Sequence, residues 1–163
     1  MRTVSAPIKG LRKRVAFRLP TAQSDPSGNL RFIRVPVGDL LAASALERLL
    51  NALRKAGFPF SHAATGHGRY ASAGCSISDI DLFVMLAEIG DDTIEGNIYE
   101  LVIWAAKPTR KTTVFSRTAE VLPSENNILL WERVISSISA ELVATLNAGE
   151  VVWEDVGSPS PAT

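Results

Sequence analysis

The sequence predicts an α+β domain, an antiparallel sheet of mixed order (β-β-α-β-β-β-α-β) with two main helices packed on it. Three observations predict it. Two segments repeat apolar residues every three or four positions, the period of a helix with one buried side. Two apolar segments, Ile80–Glu88 and Ile98–Ala106, are joined by a turn-rich link too short to hold a crossover helix, so they pair antiparallel. The chain has 163 residues, 46% of them hydrophobic and 21% charged, which suits one globular domain of ordinary size.

Residues 13–19 and 30–37 read as strands, each loosely alternating and rich in β-branched or aromatic side chains. Ser24-Asp25-Pro26-Ser27-Gly28-Asn29 between them is turn chemistry, so the two form a hairpin or an extended arm. Asp39 opens the first helix as its N-cap; Leu46, Leu49, Leu50 and Leu53 make its apolar side and Gly57 ends it. Residues 61–78 are rich in Gly, Ala and Ser and read as a variable loop. After the two central strands, Thr112–Leu122 extends the meander. The second helix runs from about Glu125 to Asn147, with Ile128, Trp131, Ile135, Ile138, Leu142 and Leu146 at helical spacing. Gly149 stops it, and Val151-Val152-Trp153 begins a last short strand. The expected organisation is a basic N-terminal hairpin or arm over residues 1–35, a core over 36–156 and a flexible tail over 157–163.

Seventeen bases and seventeen acids cancel, so the molecule lacks the overall field that would hold nucleic acid. The charge is nevertheless split along the chain. Residues 1–34 hold eight bases and one acid, and residues 119–163 hold seven acids and one base. Unlike poles invite pairing, either within one subunit or between copies. The second option makes Arg12, Lys13, Arg14 and Arg18 one half of an interface and Glu150, Glu154 and Asp155 the other. No stretch approaches the roughly 20 apolar residues of a membrane span; the longest apolar runs lie near Leu82–Ala87 and Leu101–Ala106. No apolar segment follows the basic N-terminus as in a secretory signal, so the expected location is a cytoplasm or a particle assembled there.

Candidate chemistry is sparse. Ser78-Asp79-Ile80-Asp81-Leu82-Phe83-Val84 places two carboxylates two residues apart, on one side of a strand, where they could share a divalent cation with a third carboxylate from Glu100. The segment resembles the metal motif of polymerase-beta-type nucleotidyltransferases, which implies a metal-dependent transferase using Asp79, Asp81 and Glu100. Gly66-His67 stands where that family has Gly-Ser, and the alternative reading is a pair of aspartates bordering a strand and facing water. Gly66, Gly68 and Gly74 are not followed by a helix pattern, so they form no phosphate-binding loop. His62 and His67 lack a further ligand for a metal site. Cys75 excludes an internal disulfide and reads as an inert thiol in a small-residue stretch. No resident cofactor is expected.

The order of elements over residues 39–155 is similar to that of small tail-terminator and tail-completion proteins of tailed bacteriophages. The residues that carry the likeness are the helix ending Leu49-Leu50-Asn51-Ala52-Leu53-Arg54-Lys55-Ala56-Gly57, the strand Leu82–Ile89, the strand Tyr99–Ala105 with its Trp104, and the helix ending Ala140–Leu146 before Val151-Val152-Trp153. That resemblance implies a structural subunit whose copies form a ring on a tail or neck, with copies of itself and other structural proteins as partners. The sequence departs from it in having Asp81-Leu82-Phe83 where a Pro-Tyr usually opens the first strand, and in the extra segment Thr112–Leu122. A small protein-binding domain that uses loop 61–78 is the generic alternative.

Overall fold

A computed structural model describes residues 2–19, 23–24, 30–31, 39–65, 70–92, 96–111, 120–146, 148 and 151–156. Along the chain these form β1 (Arg2–Leu19), β2 (Gln23–Ser24), β3 (Leu30–Arg31), α1 (Asp39–Lys55), β4 (Ala64–Thr65), β5 (Tyr70–Ile77), β6 (Ile80–Asp92), β7 (Gly96–Lys111), α2 (Glu125–Leu146) and β8 (Glu154–Asp155). The main sheet has the order β4-β5-β6-β7-β1-β8, and every neighbouring pair in it is antiparallel. β2 and β3 pair separately. The fold is α+β as the sequence predicts.

Both helices lie on one side of the sheet. α1 packs over β4, β5 and β6, while α2 packs on α1 and reaches β1. The core between them is apolar: Leu46, Leu49, Leu50 and Leu53 of α1 meet Leu82, Val84 and Leu86 of β6, Leu101 and Ile103 of β7, and Val134, Ile138 and Leu142 of α2. Strand alternation selects these residues, because every second side chain of β6 points at the helices.

Helix ends follow from local chemistry. Gly57 has φ +101°, Phe58 N–H donates to Leu53 C=O at 3.0 Å and Gly57 N–H to Arg54 C=O at 3.1 Å. This Schellman closure puts the residue without a Cβ at the left-handed position and Phe58 back on the core. At the start of α2 the Ser124 hydroxyl accepts the Asn127 N–H (3.2 Å), and the Asn127 side-chain oxygen accepts the Ser124 N–H (3.1 Å). The two thereby satisfy each other's free amides.

Three sequence expectations change. Of the expected arm over residues 1–35, Arg2–Leu19 is part of the core sheet: β1 lies between β7 and β8, with Ile8, Leu11, Val15 and Phe17 in the core. Its alternation was hidden by a bulge. Pro7 faces Ala106 and Arg12 faces Trp104, so Ile8–Leu11 stand opposite Ala105 alone. Gly10, at φ +81°, makes that excursion possible, and Val121 bonds to Pro7 and Lys9 beside it. The stretch 61–78 contains β4 and β5 rather than a loop throughout. The last strand is Glu154–Asp155, just beyond the expected Val151–Trp153. Of the expected strand at 30–37 only Leu30–Arg31 lies within the described residues, as do only Glu120–Leu122 of Thr112–Leu122; the tail 157–163 lies outside them.

Candidate functional site on the open face of the sheet

One side of the sheet carries the helices; among the described residues no helix covers the other. The residues that point there alternate with the core positions. Phe83 and Met85 of β6 stand opposite Trp104 and Val102 of β7, and these in turn face Arg12 and Arg14 of β1. The Phe83 and Trp104 rings stack, with centroids 5.5 Å apart and planes 23° from parallel. Gly74 of β5 lies across from Phe83, and a Cβ there would stand 3.3 Å from the Phe83 ring. The missing side chain thus gives the ring its place on the sheet. Val102 is buried at 7% exposure and Ala106 at 3%, although neither belongs to the core beneath the helices.

Polar groups rim this strip. Arg14 Nε donates to Glu154 Oε2 at 2.9 Å, while on the other side of β1, the side of the core residue Ile103, Lys13 Nζ lies 3.6 Å from Asp155 Oδ1. Arg12 has its Nε buried with no hydrogen-bond partner, the one such side-chain atom among the described residues. At one end of the strip Asp81 accepts the Ser76 hydroxyl (2.6 Å) and the Ser5 hydroxyl (3.3 Å).

The pairing of Arg14 with Glu154 and Lys13 with Asp155 corrects an expectation. The basic and acidic ends of the chain meet within one subunit, because β8 lies beside β1 in register. Lys13, Arg14, Glu154 and Asp155 are therefore paired in the single chain rather than held for a neighbouring copy. Arg18 is exposed on β1, and Glu150 lies outside the described residues.

The three carboxylates expected to share a cation are placed apart. Asp79 is not on the strand; it sits with Ser78 in the two-residue turn joining β5 and β6. There it accepts the Asn127 side-chain amide at 3.0 Å and lies 3.7 Å from Lys107 Nζ, tying the turn to the start of α2. Asp81 points to the open face, into the two serines. Glu100 faces Ala87, six residues along β7 from Ala106, the partner of Asp81. At strand rise that separation is roughly 20 Å. Among the described residues no three His, Cys, Asp or Glu side chains are grouped to hold a metal.

The remaining sequence candidates have structural partners. Glu47 of α1 accepts the Ala63 N–H (2.8 Å), His62 lies 2.7 Å away, and Arg54 donates to the same carboxylate. The Ala63 amide, then His62 and Arg54, hold the Glu47 carboxyl at about 2, against the opposing effect of burial. Arg54 also donates to the carbonyls of Phe60 and Ser61, so this cluster fastens the segment after α1 back onto the helix. Burial, with a smaller contribution from the Asp81 charge, pushes the Cys75 thiol up to about 11, which leaves almost no thiolate at neutral pH. Gly66, His67 and Gly68 lie outside the described residues.

Sequence reasoning passed over the residues that stand out here, Phe83, Met85, Val102 and Trp104, because none carries catalytic chemistry. The signal was present in the apolar runs. An antiparallel sheet with one face in water alternates apolar and polar residues, whereas strands covered on both faces read as continuous apolar runs. β6 and β7 are antiparallel, yet Leu82–Ala87 and Leu101–Ala106 are continuous. The exposed side of α2 was likewise not singled out; Leu129 is 55% exposed and Val143 50%.

Comparison with known proteins adds no assignment: no family model matches the chain, and no curated protein and no solved structure matches it significantly. Among the described residues no helix is long and apolar enough to cross a membrane.

Proposed function

We propose that this chain is a non-enzymatic structural subunit that associates with copies of itself through the open face of its sheet. The observation that carries the reading is the two-sided apolarity of β6 and β7 in a sheet with helices on one side. An aromatic pair with Met and Val at its centre and arginines at its rim has the composition of an interface core. Asp79 and Asp81 are hydrogen-bonded to structural partners, and burial raises the pKa of the Cys75 thiol, which supports a structural role for these groups.

The finer assignment, a ring subunit at a phage tail or neck, draws on the element order α1-β4-β5-β6-β7-α2-β8, whose helix, antiparallel strands, helix and short final strand are similar to those of the tail-terminator resemblance. Neighbouring structural proteins of the same particle are the partners that this assignment adds.

Sedimentation velocity over a rising concentration series tests the reading. The wild-type chain is expected to form species larger than the protomer, and Met85→Glu, which sets a charge in the apolar strip, is expected to weaken association at least tenfold. A wild-type chain that stays monomeric to millimolar concentration overturns it.

A further inference from the structure

We infer that the open face of one copy is covered by the exposed side of α2 from a second copy, an inference that rests on the self-association just proposed. The occupant follows from what each surface lacks. Among the described residues the sheet has a helix layer on one side only, and α2 has a side that packs on none of them. Asn127, Leu130, Trp131, Val134, Ile138, Leu142 and Leu146 are its buried residues. Half a turn away, at helical spacing, lie Glu125, Leu129, Glu132, Ser136 and Val143. Leu129 and Val143 give this stripe two apolar anchors about four turns apart.

Charge and size both match. The free stripe of α2 carries Glu125 and Glu132, whereas the strip on the sheet is bordered by Arg12 and by Arg14, the latter already paired with Glu154. Arg12 is the rim residue whose Nε has no partner in the single chain, a cost that rotation toward an incoming carboxylate relieves. The 22 residues of α2 span about 33 Å. The apolar run of β6, Leu82 to Ala87, spans roughly 20 Å, which matches the roughly 21 Å between the Leu129 and Val143 anchors rather than the whole helix.

The two surfaces lie on opposite sides of the molecule, with the sheet and its helix layer between them. A contact joining them is heterologous: each copy gives its helix to one neighbour and its sheet to another. Such a contact propagates, into a closed ring if the rotation per copy divides a full turn and into a filament otherwise. A sheet face that paired with an identical sheet face would instead stop at a dimer.

Complementary variants separate these outcomes. Met85→Glu removes the sheet surface and keeps the helix; Leu129→Lys removes the helix surface and keeps the sheet. Circular dichroism first confirms that each is folded, and Ser72→Glu, directly across β5 from Met85, replaces a Met85→Glu that is not. Each variant alone is expected to be monomeric by native mass spectrometry. An equimolar mixture is expected to give a 1:1 pair and nothing larger, since each pair has spent its one intact sheet and one intact helix. A Leu129→Lys chain that still assembles like wild type overturns the inference while leaving self-association in place. So does a mixture that remains monomeric. A wild-type chain that never assembles removes the underlying reading instead.

Discussion

Glu47 shows how one carboxylate holds a connection closed. It gathers an amide, an imidazole and a guanidinium, and its folded pKa of about 2 lies below the ordinary value of 4.5. A depressed folded pKa contributes stability that is complete above 4.5 and is lost as the pH falls from there toward 2. The side chain is about a third exposed, so solvent screening reduces the contribution to about 1 kcal/mol. Urea unfolding of wild type and Glu47→Gln should therefore differ by about that amount at pH 7 and converge near pH 2. A gap that stays constant across this range would assign the effect to something other than ionisation. Ser78 is the local counterpart on the sheet: its φ of +54° in the β5–β6 turn is a conformation that favours glycine, and it is held there while Asp79 reaches α2.

At the scale of elements, closures and spacing decide the structure. Gly57→Ala places a Cβ on a residue at φ +101° where no neighbouring atom obstructs it, so the expected loss of about 1 kcal/mol is conformational alone. Thermal unfolding with unchanged far-ultraviolet dichroism is the check, and no loss would mean that the helix end refolds around the alanine. Both helices were legible because their apolar residues recur at a helical period, and the two central strands because they are unbroken apolar runs joined by a turn-rich link. β5 was not, because Tyr-Ala-Ser-Ala-Gly-Cys-Ser-Ile has small residues where strands usually carry β-branched ones. Those small residues have a physical reason: α1 packs directly over β5, and Phe83 lies over Gly74 on the other side. The first half of β1 was hidden because its bulge shifts the alternation between Pro7 and Arg12. Of the candidate site, the apolar runs were visible but their meaning was not. Continuous apolarity becomes informative only once the strands are known to be antiparallel and layered on one side.

For the whole molecule, the segment 151–156 is bound mainly by packing. Trp153 rests against the core and donates its indole N–H to Ser139 Oγ at 2.7 Å, while the ion pairs of β8 lie in solvent. Exposed pairs contribute about 0–1 kcal/mol, and removal of a partly buried tryptophan costs about 2 kcal/mol or more. Arg14→Ala should therefore change denaturation midpoints little and Trp153→Ala substantially; equal effects would show that the charges, not the ring, hold the segment. The position of β1 has a further effect during synthesis. The strand earliest in the chain lies between β7 and β8, whose registers with it join residues as distant as Arg2 with Lys111 and Arg14 with Glu154. A nascent chain emerging from the ribosome thus carries an unpaired ribbon, with Ile8, Leu11, Val15 and Phe17 uncovered, until most of the polypeptide has appeared. Closure of the sheet therefore waits until β7 has been synthesised.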